Sequence, residues 1–265
     1  MNTENTELPL VCAAAYVRMS TEHQQYSTSN QMDVIREYAK RRGMQIDAAN
    51  LADVNLANSA LLNLKKTHSR WPKDRKYPVL FDEGFGKLEQ LPRKMSFHIF
   101  EQTKNNKTQV VMQLNGVNVG SPLTDNRMAQ DDYRFHDVFH LAYAAILGWS
   151  PTIRALLKIK RKSDPKVDEA EDGLRAVLIE EGISTLIFQR AARLNYFGSI
   201  ESLDYPLLKL IPDFVHGYEV ERCPLWLWEK AILDGFAVFR KLRIYRRGII
   251  TADLKKRSIS FKELP

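Results

Sequence analysis

The sequence is poor in cysteine: it has two, Cys12 and Cys223, too few and too far apart for a disulfide framework or a complete zinc site. They read as free, buried thiols. No apolar run approaches the roughly 20 residues that a bilayer crossing needs, so no membrane span is expected. The opening MNTENTELPL has neither a basic start nor a long apolar stretch, which argues against a secretory signal and leaves the cytoplasm as the expected compartment. There is no internal repeat, which excludes a solenoid, and no low-complexity segment longer than the basic run at 158–166.

What is present suits a globular chain. Its 265 residues can bury one substantial core, or a main domain with a smaller appendage, and 44% hydrophobic with 27% charged residues is an ordinary balance. The formal net charge of +7 is compatible with a polyanionic partner, either nucleic acid or a nucleotide phosphate.

Residues 12–43, CAAAYVRMSTEHQQYSTSNQMDVIREYAKRRG, begin with a strand-like apolar run and a Ser/Thr-rich turn. A helix with Met32, Ile35 and Ala39 on its apolar spacing follows and stops at Gly43. The stretch AYVRMSTEHQQYSTSNQ resembles the amino-terminal motif of the serine recombinases, the resolvase and invertase family. That resemblance implies a DNA-phosphate nucleophile at Ser20 and a phosphate-holding arginine at Arg18. It covers about residues 13–43; the further arginines of a recombinase catalytic centre and a DNA-binding tail are missing. Residues 1–45 therefore read as a recombinase-like strand–helix remnant, and 46–76 as a linker containing a short helix.

From residue 77 an α+β domain is expected to run to 265, mainly a helical bundle with a small antiparallel β hairpin or meander. KMSFHIFEQTKNNKTQVVMQLNGVNVG has two β-rich runs about a polar tip, then a turn signal at Asn115-Gly116. Helices are predicted at about 131–148, 150–160, 166–195, 204–216 and 224–242, and strand-like pieces in the tail. Trp226 and Trp228, at a helix start, read as core. His98 and His216 are isolated and receive no role.

YRFHDVFHLAYAAILGW, residues 133–149, is apolar nearly all round and so predicts a buried helix. At about 100° per residue, Tyr133, His136, Asp137 and His140 share one face. A buried imidazole needs partners for both ring nitrogens, and a buried aspartate needs a cation or a metal. Histidines at i and i+4 can hold one divalent ion, but the same spacing serves a hydrogen-bonded pair. A second stretch, PKVDEAEDGLRAVLIEEGISTLIF, sets Glu169, Asp172, Ala176 and Glu180 on one stripe of a single continuous helix, with Glu171 and Glu181 turned away. If the two helices pack side by side, His136, His140, Asp172 and Glu180 are the expected metal ligands, with Asp137 and Glu169 as further ligands or general base. A divalent ion is the expected cofactor, Mg²⁺ or Mn²⁺ first. Between them Lys158, Lys160, Arg161 and Lys162 offer a phosphate clamp or a solubilising loop.

These segments, with DEGFGKLEQLPRKMSFHIFEQ and GVNVGSPLTDN, resemble the carboxy-terminal region attached to some MazG-type nucleotide pyrophosphohydrolases, over about residues 77–250. MazG-type domains are helical bundles that use Mg²⁺ to cleave nucleoside triphosphates to monophosphate and pyrophosphate, and they often dimerise or tetramerise. Their signature is E-E-x-x-E followed by E-x-x-D. Glu169-Ala-Glu-Asp172 fits the second part; nothing fits the first, whose place His136, Asp137 and His140 would take. Three readings stay open: a metal-dependent nucleotide phosphoanhydride hydrolase or MazG-associated accessory module, a non-catalytic nucleotide-binding or regulatory module, and a recombinase-derived DNA-binding or DNA-cleaving protein. The expected partners are a nucleotide or another phosphate-bearing ligand, nucleic acid on the third reading, no membrane, and a second copy of the chain if it oligomerises.

Overall fold

The computed structural model describes residues 71–264 and short helical stretches at 36–37, 40–41, 61–65 and 67–68. The chain divides into two compact units, Met1–Ser69 and Arg70–Pro265. In the first, the helical residues at 36–37 and 40–41 fall inside the helix predicted there. Ser20, Arg18 and the expected strand before them lie outside the described residues.

The second unit is α+β. Its sheet begins with β1 (Lys94–Lys104) and β2 (Lys107–Leu114), joined at Asn105-Asn106, and continues to β3 (Val117–Asn118) through Asn115-Gly116. All four turn residues have positive φ, between 52° and 78°, as a two-residue hairpin turn with the sheet's own twist requires. The tail supplies two more strands, β4 (Arg247–Asp253) and β5 (Ser258–Lys262). They extend the hairpin into a five-stranded antiparallel sheet of order β3-β2-β1-β4-β5. Alternation decides its faces: Met95, Phe97, Ile99, Met112, Ile250 and Ala252 are buried on one side.

That face packs on helices. A 3₁₀ turn, Tyr133–Phe135, leads into α1 (Asp137–Leu147), in which every residue from Val138 onward is buried. α2 (Pro151–Leu157) starts on a Ser150 cap with proline in its first turn. α3 (Pro165–Ala170) and α4 (Leu174–Ala192) follow, then the short α5 (Tyr205–Leu208) and α6 (Ile211–Val215), and last the long α7 (Leu225–Tyr245). α7 lies along α1 at close range: Phe139 and Phe236 stack with centroids 4.4 Å apart, and a methyl on Gly235 would meet the Ala142 methyl at 3.1 Å. Burying side chains of this size contributes about 1.5–3 kcal/mol each. Trp226 and Trp228 are core.

One predicted helix is broken. The expected helix 166–195 is α3 and α4, separated by Glu171-Asp172-Gly173, with Gly173 extended at φ −86°, ψ 168°. A Cβ there would stand 2.1 Å from the Glu169 carbonyl oxygen, so the corner admits only glycine without rearrangement. Glu169 and Asp172 therefore do not continue the stripe of Glu180. Likewise 204–216 is two short helices, and His136 closes a 3₁₀ turn ahead of α1. Among the described residues no helix is long and apolar enough to cross a membrane.

Candidate metal centre on α1 and α4

The 3₁₀ entry to α1 places the His136 ring directly on Tyr133, stacked at 4.4 Å with planes 2° apart. The Nδ1 of His136 lies 2.9 Å from the Tyr133 carbonyl oxygen. With Nδ1–H donating there, the Nε2 lone pair is left for another ligand. One turn on, His140 is fully buried. Its Nδ1 is 2.9 Å from Glu180 Oε1 and its Nε2 is 3.1 Å from Glu181 Oε1. Both nitrogens are at ion-pair distance from a carboxylate, yet neither approach has the alignment of a hydrogen bond. Glu181 Oε2 is 3.7 Å from His136 Nε2, and Asp137 Oδ1 is 3.8 Å from the same atom. One ligand atom each from His136, Asp137 and His140 lie within 4.8 Å of one another.

Glu180 is fixed from the other side. Its Oε1 accepts from Ser150 Oγ at 2.7 Å and its Oε2 from the Thr152 N–H at 2.9 Å. Ser150 Oγ in turn accepts from the Ile153 N–H at 3.0 Å, so the residue that caps α2 also orients Glu180. This buried carboxylate is thereby held by a helix start, with its inner edge facing the Nδ1 of His140. Glu181, its neighbour, is half-buried and reaches both imidazoles.

Burial alone would lower the His140 pKa, but the carboxylates of Glu180 and Glu181 overcome it and hold the value well above the ordinary histidine range. Burial raises Glu181, and its contacts with His136 and His140 more than reverse this, leaving it below the usual carboxylate range. Burial keeps Asp137 above that range against the pull of both histidines.

The structure brings His136, Asp137, His140 and Glu180 together, and leaves two of the expected acids elsewhere. Asp172 accepts from the Arg161 backbone N–H and Nη2, each at 2.8 Å, with Arg154 Nε at 3.6 Å. Glu169 is exposed and lines a hollow of about 640 Å³ with Lys166, Arg175 and His216. Arg161, expected in the phosphate clamp, is instead fully buried, and its guanidinium donates to Asp172 and, at 2.9 Å, to Glu219, so none of it is turned to a phosphate in solution. Burial pushes Glu219 up to about 7 despite that arginine. Asp82 completes this second network, accepting from Arg154 Nη2 and Arg93 Nη1, each at 2.8 Å. Lys160 stands 3.8 Å from Asp168, and Lys158 caps α2 in the left-handed region. Lys162 is exposed on the loop that follows.

Glu181, expected on a solvated side, is the residue sequence reasoning missed. Its signal was the Glu180-Glu181 doublet itself: two acids 100° apart on one helix can flank a group that projects between them. Ser150 and Thr152 carried no comparable signal.

No curated protein and no solved structure matches the chain. Residues 13–63 match the family model of the resolvase N-terminal domain, further than the motif at 13–43 reaches. Residues 76–265, more than half of the chain and every residue of the His/carboxylate cluster, match that of the MazG C-terminal domain. The chain thus belongs to the MazG C-terminal domain family, in keeping with its α+β fold.

Proposed function

We propose that the α1/α4 cluster is a divalent-metal site and that the domain is a MazG-associated module acting on nucleotide phosphoanhydrides. The observation that carries this is His140: a fully buried imidazole whose two nitrogens each face a carboxylate without hydrogen-bond alignment, beside two further donor groups. Without metal the two carboxylates hold a proton on this ring; a divalent cation in line with Nε2 would take that proton's place and give the nitrogen a directional partner.

His136 Nε2, His140 Nε2, Asp137 and Glu181 form the donor set. Two imidazoles with two carboxylates suit Mn²⁺ better than Mg²⁺, which prefers oxygen alone. When bound, such an ion polarises a phosphoanhydride oxygen and lowers the pKa of a coordinated water. The chain's own part is orientation. Tyr133 and Glu180 fix the two rings, each from its Nδ1 side. Half-buried Glu181 is the side from which ligand enters. Of the loop cations, Lys158, Lys160 and Lys162 remain for phosphate.

Mn²⁺ binding to the full chain, by calorimetry or electron paramagnetic resonance, should approach one site and weaken in Glu181→Gln, which keeps shape and exposure. Pyrophosphate release from nucleoside triphosphates should need Mn²⁺ and fall in the same variant. A folded chain that binds no Mn²⁺ ends the metal reading. Metal binding with nucleotide bound but uncleaved makes the domain a binding module.

A further inference from the structure

The second feature without a role is the sheet's other face. Register places Lys94, Ser96, His98, Phe100, Gln102 and Lys104 of β1 on it, with Lys107, Gln109, Val111 and Gln113 of β2 opposite and Ile249 and Thr251 of β4 alongside. Ser96 Oγ lies 3.0 Å from Thr251 Oγ1, and the His98 and Phe100 rings sit 4.7 Å apart at 35°, so these side chains do project together. α1 and α7 cover the opposite face, where the strands' fully buried residues are.

The outer face combines an apolar centre with a cationic rim. Its centre is aromatic and aliphatic: His98, Phe100 and Ile249, all half-buried, packed beside Val111, which is itself buried. Its rim is cationic: Lys94 at one end, Lys104 and Lys107 at the hairpin tip, and Lys262, in register with Ile249 on β5. All four lysines are exposed, and none has a carboxylate partner among the described residues. Asp253 is the one acid in register with them, opposite Lys94. Between rim and centre stand Gln102, Gln109, Gln113, Ser96 and Ser260, short-reach polar groups with no charge to repel an anion.

From this arrangement we infer that the outer sheet face, centred on His98 and Phe100, binds single-stranded nucleic acid. Stacked bases need flat apolar rings that are open on one side, and phosphates need cations a few ångströms beyond them; the face supplies both in that order. With the rings at the centre of the face and the lysines at its edges, bases must leave the stack to reach the rings, so unstacked strands are the fitting form. Nothing on the face distinguishes deoxyribose from ribose, and both sugars should be accepted. The surface is separate from the His/carboxylate cluster in its residues and in its chemistry, and it does not depend on metal.

Fluorescence anisotropy on the full chain, with labelled oligothymidylate and oligouridylate of about ten nucleotides and with a duplex of the same length, tests this. Both single strands should bind with comparable affinity, and more tightly than the duplex. Phe100→Ala should weaken binding about tenfold, the loss of one stacked base. Lys104→Gln with Lys107→Gln, on the exposed hairpin tip and harmless to folding, should weaken it and flatten its salt dependence by about 0.7 for each phosphate no longer neutralised. Circular dichroism separates lost binding from lost fold in Phe100→Ala. Single-strand binding that both variants leave untouched would place the strand on another surface, residues 1–69 included, and overturn the inference, as would tighter binding of duplex or no binding at low salt.

Discussion

Replacing Glu180 by alanine is the sharpest test of how the cluster is built. The carboxylate satisfies Ser150 Oγ, the Thr152 N–H and one edge of the fully buried His140. Its removal leaves a first-turn N–H without an acceptor and a buried imidazole with half its counter-charge. Breaking one side of a buried ion pair costs about 3–5 kcal/mol, and an unsatisfied buried donor about 1–3 kcal/mol. The serine hydroxyl can turn elsewhere and adds nothing, so the two losses come to about 4–8 kcal/mol. For a unit of this size each kcal/mol moves the melting temperature by about 2–4 °C, so a fall of at least about 8 °C should follow. Glu180→Gln, which can still accept one bond, should fall between. Glu181→Ala is the control: its side chain is 34% exposed, water can replace it, and its loss should cost under about 1 kcal/mol. Metal affinity should sort the other way if Glu181 is the direct donor proposed above, whereas an orienting residue is worth about 10–100-fold. Thermal melts and Mn²⁺ titrations of the three variants decide it. If Glu180→Ala melts within about 2 °C of the parent, Glu180 does not hold His140 and the site as described is wrong.

Asp172→Ala should destabilise the chain by about 3–5 kcal/mol in urea unfolding, because Arg161 stays buried without its main partner, yet leave Mn²⁺ affinity within twofold, since Asp172 belongs to another network. Gly173→Ala should cost more than about 2 kcal/mol in the same assay, the added methyl meeting the Glu169 carbonyl; parental stability would show that the corner relaxes. In metal-free protein the raised His140 pKa contributes stability that is full below the unfolded value near 6.5 and is lost as pH rises through the folded value. The lowered Glu181 pKa contributes stability present above about 4.5 and lost in acid, so melting temperature should peak between these limits. Metal needs His140 neutral, so Mn²⁺ affinity should climb with pH, by up to about tenfold per unit while the imidazole is protonated. A flat profile would remove His140 from the donor set.

Much of this was legible in the primary structure. The period-2 runs about Asn105-Asn106 and Asn115-Gly116 specify a hairpin and a turn because those residues tolerate positive φ. The all-round apolar character of 138–147 specifies a buried helix, and hence that His140 must find charged partners. Which acids those would be depended on continuity of a helix that local pattern favours and tertiary structure breaks. Helical propensity carries 166–195 as one unit, but the Arg161–Asp172 pair and the glycine corner turn the chain at 171–173, sending Asp172 into the arginine network and rotating α4 so that Glu180 and Glu181 flank His140. A helical wheel holds phase only within an unbroken helix, so one corner suffices to reassign every residue before it. The tail strands are similar: their β character shows locally, but pairing β4 with β1 joins residues some 150 positions apart, and only the packed core of α1 and α7 beneath the sheet selects that register.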